Sequence, residues 1–284
     1  MKKLFSSIGV IIGTLITFFV GSTLGSAIYG GVLGAKLAAT EPGLALEAQT
    51  ISDRIQIIVM ENLAIVTAIG GIGIFLLSIL GLKIRKVRIR EHLQMNVCPI
   101  ADLVKAVLAG MLMQVFFVSL EMLIRISQLD AEAVEQMGNM MMQGSLLSSI
   151  LIIAIWVPFY EEFLFRGILY TGLRGRMRPW LSIIVCGLVF GLVHMNLWQF
   201  ATISVVGGMM AFGYERTASF WVPFGMHFGL NLAGVLLTRS SLALDYSNYV
   251  FIGTLVASLS CVFGILRSLR PGIWKVDHEI QIDF

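Results

Sequence analysis

The sequence predicts an all-α protein: a polytopic bundle of transmembrane helices with about eight spans and both termini on the cytoplasmic side. Three observations predict it. Of 284 residues, 57% are hydrophobic and 13% are charged, against about 25% charged in soluble domains, and the mean hydropathy is +0.87. The apolar residues fall into eight segments, roughly 5–38, 56–82, 99–127, 145–173, 180–197, 200–213, 219–238 and 250–268. Finally, the basic residues gather in alternate connections, as the positive-inside rule requires of an even number of crossings.

The first segment opens "MKKLF", like a signal peptide. Its apolar run is too long for one and lacks a clear cleavage site, so it reads as a retained signal-anchor. It carries Gly9/Gly13, Gly21/Gly25 and Gly30/Gly34 at four-residue spacing, which suits close helix packing within the monomer. The second segment has Glu61 near its outer start. A basic stretch follows, "KIRKVRIREHLQMN" (83–96), expected along the inner leaflet beside anionic headgroups. In the third segment Asp102 and Lys105 are three apart and Glu121 and Arg125 four apart, so each pair can neutralise itself on one helix face. The acidic connection with Asp130, Glu132 and Glu135 precedes "GNMMMQG" (138–144), which suggests no function. Segments four to eight complete the bundle, the sixth being short enough for a partial span. This divides the chain into 1–144 (about three spans and the basic loop), 145–238 (a helical core) and 239–284 (a last span and tail).

Lys2, Lys3, the 83–90 cluster, Arg174, Arg176, Arg178, Arg216, Arg267, Arg270 and Lys275 all fall on one side if there are eight spans. Seven spans would strand one cluster, so eight is preferred and the location is the cytoplasmic membrane. The net charge of +3 gives no sign of a nucleic-acid partner. Membrane lipid is the partner implied by composition. Cys98, Cys186 and Cys261 are odd in number and far apart, giving neither a metal spacing nor a disulfide framework.

The chemistry concentrates in "PFYEEFLFRG" (158–167). An ionisable residue in the bilayer costs about 2.5–3.5 kcal/mol on insertion scales, and such residues persist where they find partners inside a bundle. Glu162 and Arg166 are one helical turn apart and can form an ion pair. Glu161 is rotated about 100° away and needs another partner. His194, four residues after Phe190 in "FGLVH", and His227, four before Asn231 in "HFGLN", lie inside segments five and seven. At about 1.5 Å per residue, Glu161 and His194 lie about 20 Å from the inner boundary, with His227 and Asn231 at about 12 and 18 Å. A carboxylate, two imidazoles and an amide from three helices can thus share one polar pocket.

Such a pocket allows two kinds of hydrolysis. A carboxylate beside an imidazole can activate water, with imidazole and amide N–H groups receiving the oxyanion. The same Glu161, His194 and His227 form an acceptable ligand set for a divalent metal such as zinc. A polar network that only fixes helix packing is the third reading.

"EEFLFR" (161–166), "FGLVH" (190–194) and "HFGLN" (227–231), intact and in this order on separate apolar segments, resemble the three motifs of the CPBP family. These are intramembrane proteases related to CAAX prenyl endopeptidases and to bacteriocin-processing and self-immunity (Abi) proteins. The resemblance covers about residues 145–237. It implies an endopeptidase acting on a membrane-associated protein or peptide. Glu161 would activate water with His194, His227 and Asn231 would form the oxyanion site, and Glu162, Arg166 and Phe190 would support them. The metal-free route needs no cofactor, and the metal question stays open. Some relatives are scaffolds or immunity proteins, so a non-catalytic membrane partner is the alternative.

Overall fold

A computed structural model describes residues 2–40, 48–124, 131–240 and 248–274, all helices and connections. In chain order the helices are α1 (Lys2–Thr40), α2 (Ala48–Glu61), α3 (Leu63–Ile84), α4 (Ile89–His92), α5 (Ile100–Ile124) and α6 (Ala131–Met142). They continue as α7 (Leu146–Arg174), α8 (Pro179–Leu192), α9 (Leu197–Thr217), α10 (Trp221–Arg239) and α11 (Asn248–Ser268). Each of the eight apolar segments falls on helix, but the second, 56–82, is divided at Asn62 between α2 and α3. Arg125, Lys275 and His278 lie outside the described residues.

Among the described residues, five helical stretches are long and apolar enough to cross a membrane: Phe5–Leu37, Leu63–Ile84, Ile100–Leu123, Leu146–Arg174 and Trp221–Arg239. Pro179–Leu192 and Ile252–Ser268 are apolar but shorter. The protein is a multi-pass membrane protein built as a helical bundle. At 14 residues, α8 is about 21 Å long, short of the hydrocarbon thickness of about 30 Å. Its partner α9 runs 21 residues, well past the apolar segment 200–213, because its last turn takes in Tyr214, Glu215 and Arg216.

The two ends of the bundle differ in chemistry. At one end the basic connections are tied to each other. Arg176 Nε donates to Ser6 Oγ (2.6 Å), Asn96 Nδ2 to the Ala218 carbonyl (2.8 Å) and the Phe220 amide to the Gln94 carbonyl (3.0 Å). Arg216 donates to the Leu269 and Arg267 carbonyls (2.9 and 2.6 Å), and Lys105 Nζ to that of Ser268 (3.1 Å). Lys105 also pairs with the buried Asp102 carboxylate at 3.5 Å. At the other end Arg239, on the last turn of α10, donates to the Met141, Gln143 and Gly144 carbonyls and to Ser149 Oγ. That guanidinium satisfies carbonyls left unpaired where α6 stops.

Small residues let the helices close up. A Cβ on Gly25 would fall on the Gly70 backbone, and one on Gly21 would meet Ile74, so this pair makes the α1–α3 contact. Gly30 and Gly34 face only Ile55, and Gly9 and Gly13 meet nothing. Elsewhere Gly110 lies on the Met226 carbonyl, Gly229 on the Val107 carbonyl, and Gly187 and Gly191 against the backbone of α9. Close backbone approach is how membrane helices gain van der Waals contact where lipid offers no hydrophobic gain. These contacts join α1 to α3, α5 to α10 and α8 to α9.

Candidate active site

Helix α7 is not uniformly α-helical. Residues 150–156 and 163–170 are wound as π-helix, and the α-helical Val157–Glu162 lies between them. Wide turns of this kind are rare and often found at functional sites. Carbonyls within them accept side-chain bonds: Ile153 from Asn231 Nδ2 (2.8 Å), Phe165 from Cys186 Sγ (3.4 Å) and Arg166 from Thr171 Oγ1 (3.1 Å). Sequence periodicity assumed one continuous α-helix, and nothing in the residue pattern marked the widened turns. Glu161 and Glu162 share the α-helical stretch, so their angular separation is that of an ordinary helix.

Glu162 and Arg166 have no solvent exposure at all. Arg166 Nη1 donates to Glu162 Oε1 at 2.8 Å, and Nη2 to the Gly207 carbonyl of α9 at 2.8 Å. The guanidinium lies over the Phe190 ring, 4.6 Å from its centroid. His227 Nδ1 is 2.8 Å from the same Glu162 oxygen. A carboxylate paired with arginine only accepts, so Nδ1 carries the hydrogen and Nε2 of a neutral His227 keeps its lone pair. That Nε2 faces Glu161 Oε2 at 3.7 Å. The gap is too long for a direct hydrogen bond. It suits two acceptors that share one donor. Among the described residues, Glu162 Oε2 and Arg166 Nε have no hydrogen-bond partner.

His194 is not inside a helix. Helix α8 ends at Leu192, Met195 takes a left-handed φ of 55°, and Asn196 caps α9 by accepting from the Gln199 amide at 2.9 Å. His194 therefore sits on the turn of the α8–α9 hairpin, partly open, whereas the apolar pattern predicts a continuous span there. Its Nδ1 lies 2.9 Å from the Phe190 carbonyl, which can only accept, so Nε2 again keeps the lone pair. Phe190 stands edge-on to both imidazoles, 5.4 Å from His194 and 5.8 Å from His227. It is thus in ring contact with both.

The structure thus gathers Glu161, Glu162, Arg166, Phe190 and His227 into one contact network, which His194 joins through Phe190. Asn231 is drawn toward Ile153, two turns before Glu161 on α7. Two further groups escaped the sequence reading. Trp156 donates to the Ala68 carbonyl of α3 at 3.0 Å. The Tyr160 ring occupies the place where a Cβ on Gly71 would sit. Together they lock α7 to α3 beside the carboxylates. An aromatic in an apolar run gives no signal of such a role.

Among the described residues no three His, Cys, Asp or Glu side chains gather closely enough to ligate one ion. The second carboxylate is already committed to Arg166 and His227.

Residues 143–233 match the family described as Type II CAAX prenyl endopeptidase Rce1-like. Over 88 residues the chain is 30% identical to "Putative membrane peptidase YdiL" of Bacillus subtilis (strain 168). That stretch is 31% of this chain and 36% of the relative, so the likeness spans about a third of either protein. No solved structure matches the chain. The stretch that resembles this family, residues 143–233, carries both glutamates, Arg166, His194, His227 and Asn231.

Proposed function

We propose that this protein is an intramembrane endopeptidase that hydrolyses a peptide bond in a membrane-associated protein or peptide. The observation that carries the reading is the pair of acceptors, Glu161 Oε2 and His227 Nε2, facing one another at 3.7 Å in a buried site. A water there donates to both. Its oxygen attacks the scissile carbonyl carbon as its proton passes to the carboxylate or to Nε2. Glu162 holds the Nδ1 side of His227 and stabilises the imidazolium, the role an orienting carboxylate plays in a catalytic triad. Once protonated, Nε2 becomes a donor beside the reacting centre. The tetrahedral oxyanion receives hydrogen bonds from it and from the second N–H of Asn231, whose first N–H is held by Ile153. Collapse breaks the C–N bond, and the departing amine takes the proton. His194, with its Nε2 lone pair free of the Phe190 carbonyl, is the second imidazole able to hold the water. No step requires a metal or organic cofactor.

Depth in the membrane and the family likeness of residues 143–233 support a substrate that is itself at the membrane. The basic end is assigned to the cytoplasm by the positive-inside rule, which puts the protein in the cytoplasmic membrane with its N-terminus inside. The test compares membrane and secreted peptides that accumulate with wild type and with Glu161→Gln at equal membrane content. A substrate that is cut only by wild type is expected. Identical peptide profiles from a correctly inserted variant would remove the catalytic role and leave a scaffold or immunity protein.

A further inference from the structure

The candidate site is sealed toward the basic end of the bundle. In that direction Phe165, Leu169, Tyr170 and Leu173 of α7 and Tyr214 of α9 have no exposure at all. The chain that leaves α11 then crosses this end as a strap. The Gly272 amide donates to the Arg216 carbonyl at 2.9 Å, and a Cβ on Gly272 would fall on the Thr217 carbonyl. Trp274 Nε1 donates to the Glu215 carbonyl at 2.9 Å. Its ring meets Tyr214 and Tyr170, 5.0 and 6.0 Å between centroids. Leu93, also fully buried, packs on Gly167 of α7.

Exposure rises in the opposite direction. The side chains of Glu162 and Arg166 have none, whereas those of His227 and Glu161 keep 7% and 10%. His194 is partly open, and beyond it on the α8–α9 turn Met195 and Leu197 are 77% and 85% exposed. That turn does not lie at a membrane surface. Helix α8 starts at Pro179, straight after Arg174, Arg176 and Arg178. The exposed Trp180 on its first turn marks the membrane–water boundary. From there α8 rises about 21 Å through a hydrocarbon layer about 30 Å thick, so the turn stops about 10 Å short of the far boundary.

A turn leaves the last carbonyls of one helix and the first amides of the next outside the helical ladders. Non-helical backbone at membrane depth persists only where protein buries it or water reaches it. This turn is exposed, so water reaches it. We propose that water and the scissile peptide reach Glu161 and His227 from the end opposite the basic connections, over the 193–196 turn, with His194 at the entry. The substrate is then a membrane-associated peptide whose cleavage position lies in that half of the membrane or at that surface. For the peptide this rests on the endopeptidase reading; the water path stands without it.

The test reads thiol modification by a charged, membrane-impermeant methanethiosulfonate in sealed membrane vesicles of both orientations. Cys98→Ser/Cys261→Ser is the background, and Cys186 stays because it is buried. Arg88→Cys, on the exposed basic stretch, reports the basic side. Met195→Cys should react from the other side. It should do so about tenfold or more faster than Leu188→Cys, an exposed position within α8, because the reactive thiolate forms in water and not in lipid. Leu197→Cys repeats the measurement if Met195→Cys does not insert. Reaction from the Arg88 side overturns the route and puts the entry at the basic end. No reaction from either side before denaturation, or equal reaction at Leu188→Cys, overturns it by showing that the turn is no wetter than the helix. Modified Met195→Cys should lose most of its cleavage, and unchanged cleavage overturns passage of the peptide over the turn. Peptide profiles that Glu161→Gln leaves unchanged would instead remove the hydrolase, while sided labelling would still support the water path.

Discussion

Helix α7 carries two arginine–glutamate networks two turns apart, and they are built to different standards. Arg174 meets Glu215 of α9 through two bonds, 2.6 and 3.1 Å, and Tyr170 gives the same carboxylate a third at 2.8 Å. Its guanidinium lies over Trp274, and the two side chains keep 26% and 21% of their exposure. Arg166 also lies over an aromatic ring and also reaches α9. Yet it and Glu162 are fully buried, joined by a single bond, and each keeps one polar atom without a partner among the described residues. Fold stability alone favours the first arrangement, because a buried and partly satisfied network is costlier than an apolar one. What the second network gains is a hold on His227. The peripheral pair is a clamp between helices; the buried pair is shaped by the imidazole it has to orient.

The largest expected effect follows from that contrast. Glu162→Gln leaves shape almost unchanged but takes away the acceptor that keeps hydrogen on Nδ1 of His227 and stabilises its charged form. Cleavage should fall roughly 10²–10⁴-fold. Glu215→Gln, the matching change in the clamp, should leave the rate within a factor of about two, because its carboxylate contributes only to a partly exposed pair. Rates of substrate disappearance for the two variants at equal membrane content decide the matter. Equal losses would show that both networks act through folding alone.

Stability separates the same two networks in the same direction. Arg166→Ala leaves Glu162 buried without its cation and should cost about 3–5 kcal/mol. Arg174→Ala should cost about 1 kcal/mol or less, since water reaches both partners. Arg166→Lys keeps the charge but not the fork that spans Glu162 and the Gly207 carbonyl, so it should fall between them. Thermal unfolding of the purified proteins orders the three. A smaller step concerns the helix that presents His227. Gly229→Ala would drive a Cβ into the Val107 carbonyl of α5, displacing α10 at an expected cost of about 1–3 kcal/mol. A cleavage rate that drops with little loss of melting temperature would mean that α10 moved and carried His227 away from Glu161.

Sequence made some of this legible and hid the rest for physical reasons. The helical bundle and its helices could be read because twenty-residue apolar runs have few alternatives in a membrane. Glu162 and Arg166 could be placed on one face because helical spacing is local. The bond from Glu162 to His227 could not, since 65 positions separate the residues and only the packing of α7 on α10 joins them. His194 was expected inside a helix. Helix α8 stops at Leu192, and the left-handed residue that turns the chain after His194 is Met195, not a glycine, so the sequence carries no sign of the turn. The wide turns of α7 were invisible because hydrophobic residues fill both α- and π-wound segments. Of the three glycine pairs on α1, only the middle one meets another backbone closely, which depends on where α3 crosses rather than on the spacing.

The smallest effect lies outside both networks, at His92, and it tests whether the basic end contributes to stability by itself. Burial and the charges of Arg85 and Arg176 lower its pKa from 6.5 to about 4. The unfolded chain therefore takes up a proton at a pH where the folded protein does not. The contribution is intact above pH 6.5 and is lost progressively as pH falls from 6.5 toward 4. In detergent free of anionic lipid, moving from pH 7 to pH 5 should lower the melting temperature by about 2–4 °C, the shift that roughly 1 kcal/mol gives in a chain of this size. His92→Gln removes the titrating group and should flatten that part of the profile, while acid sensitivity from the carboxylates remains below it. A variant as sensitive as wild type between pH 7 and pH 5 would mean that protonation elsewhere sets the slope, and that Arg85 and Arg176 leave His92 free to charge.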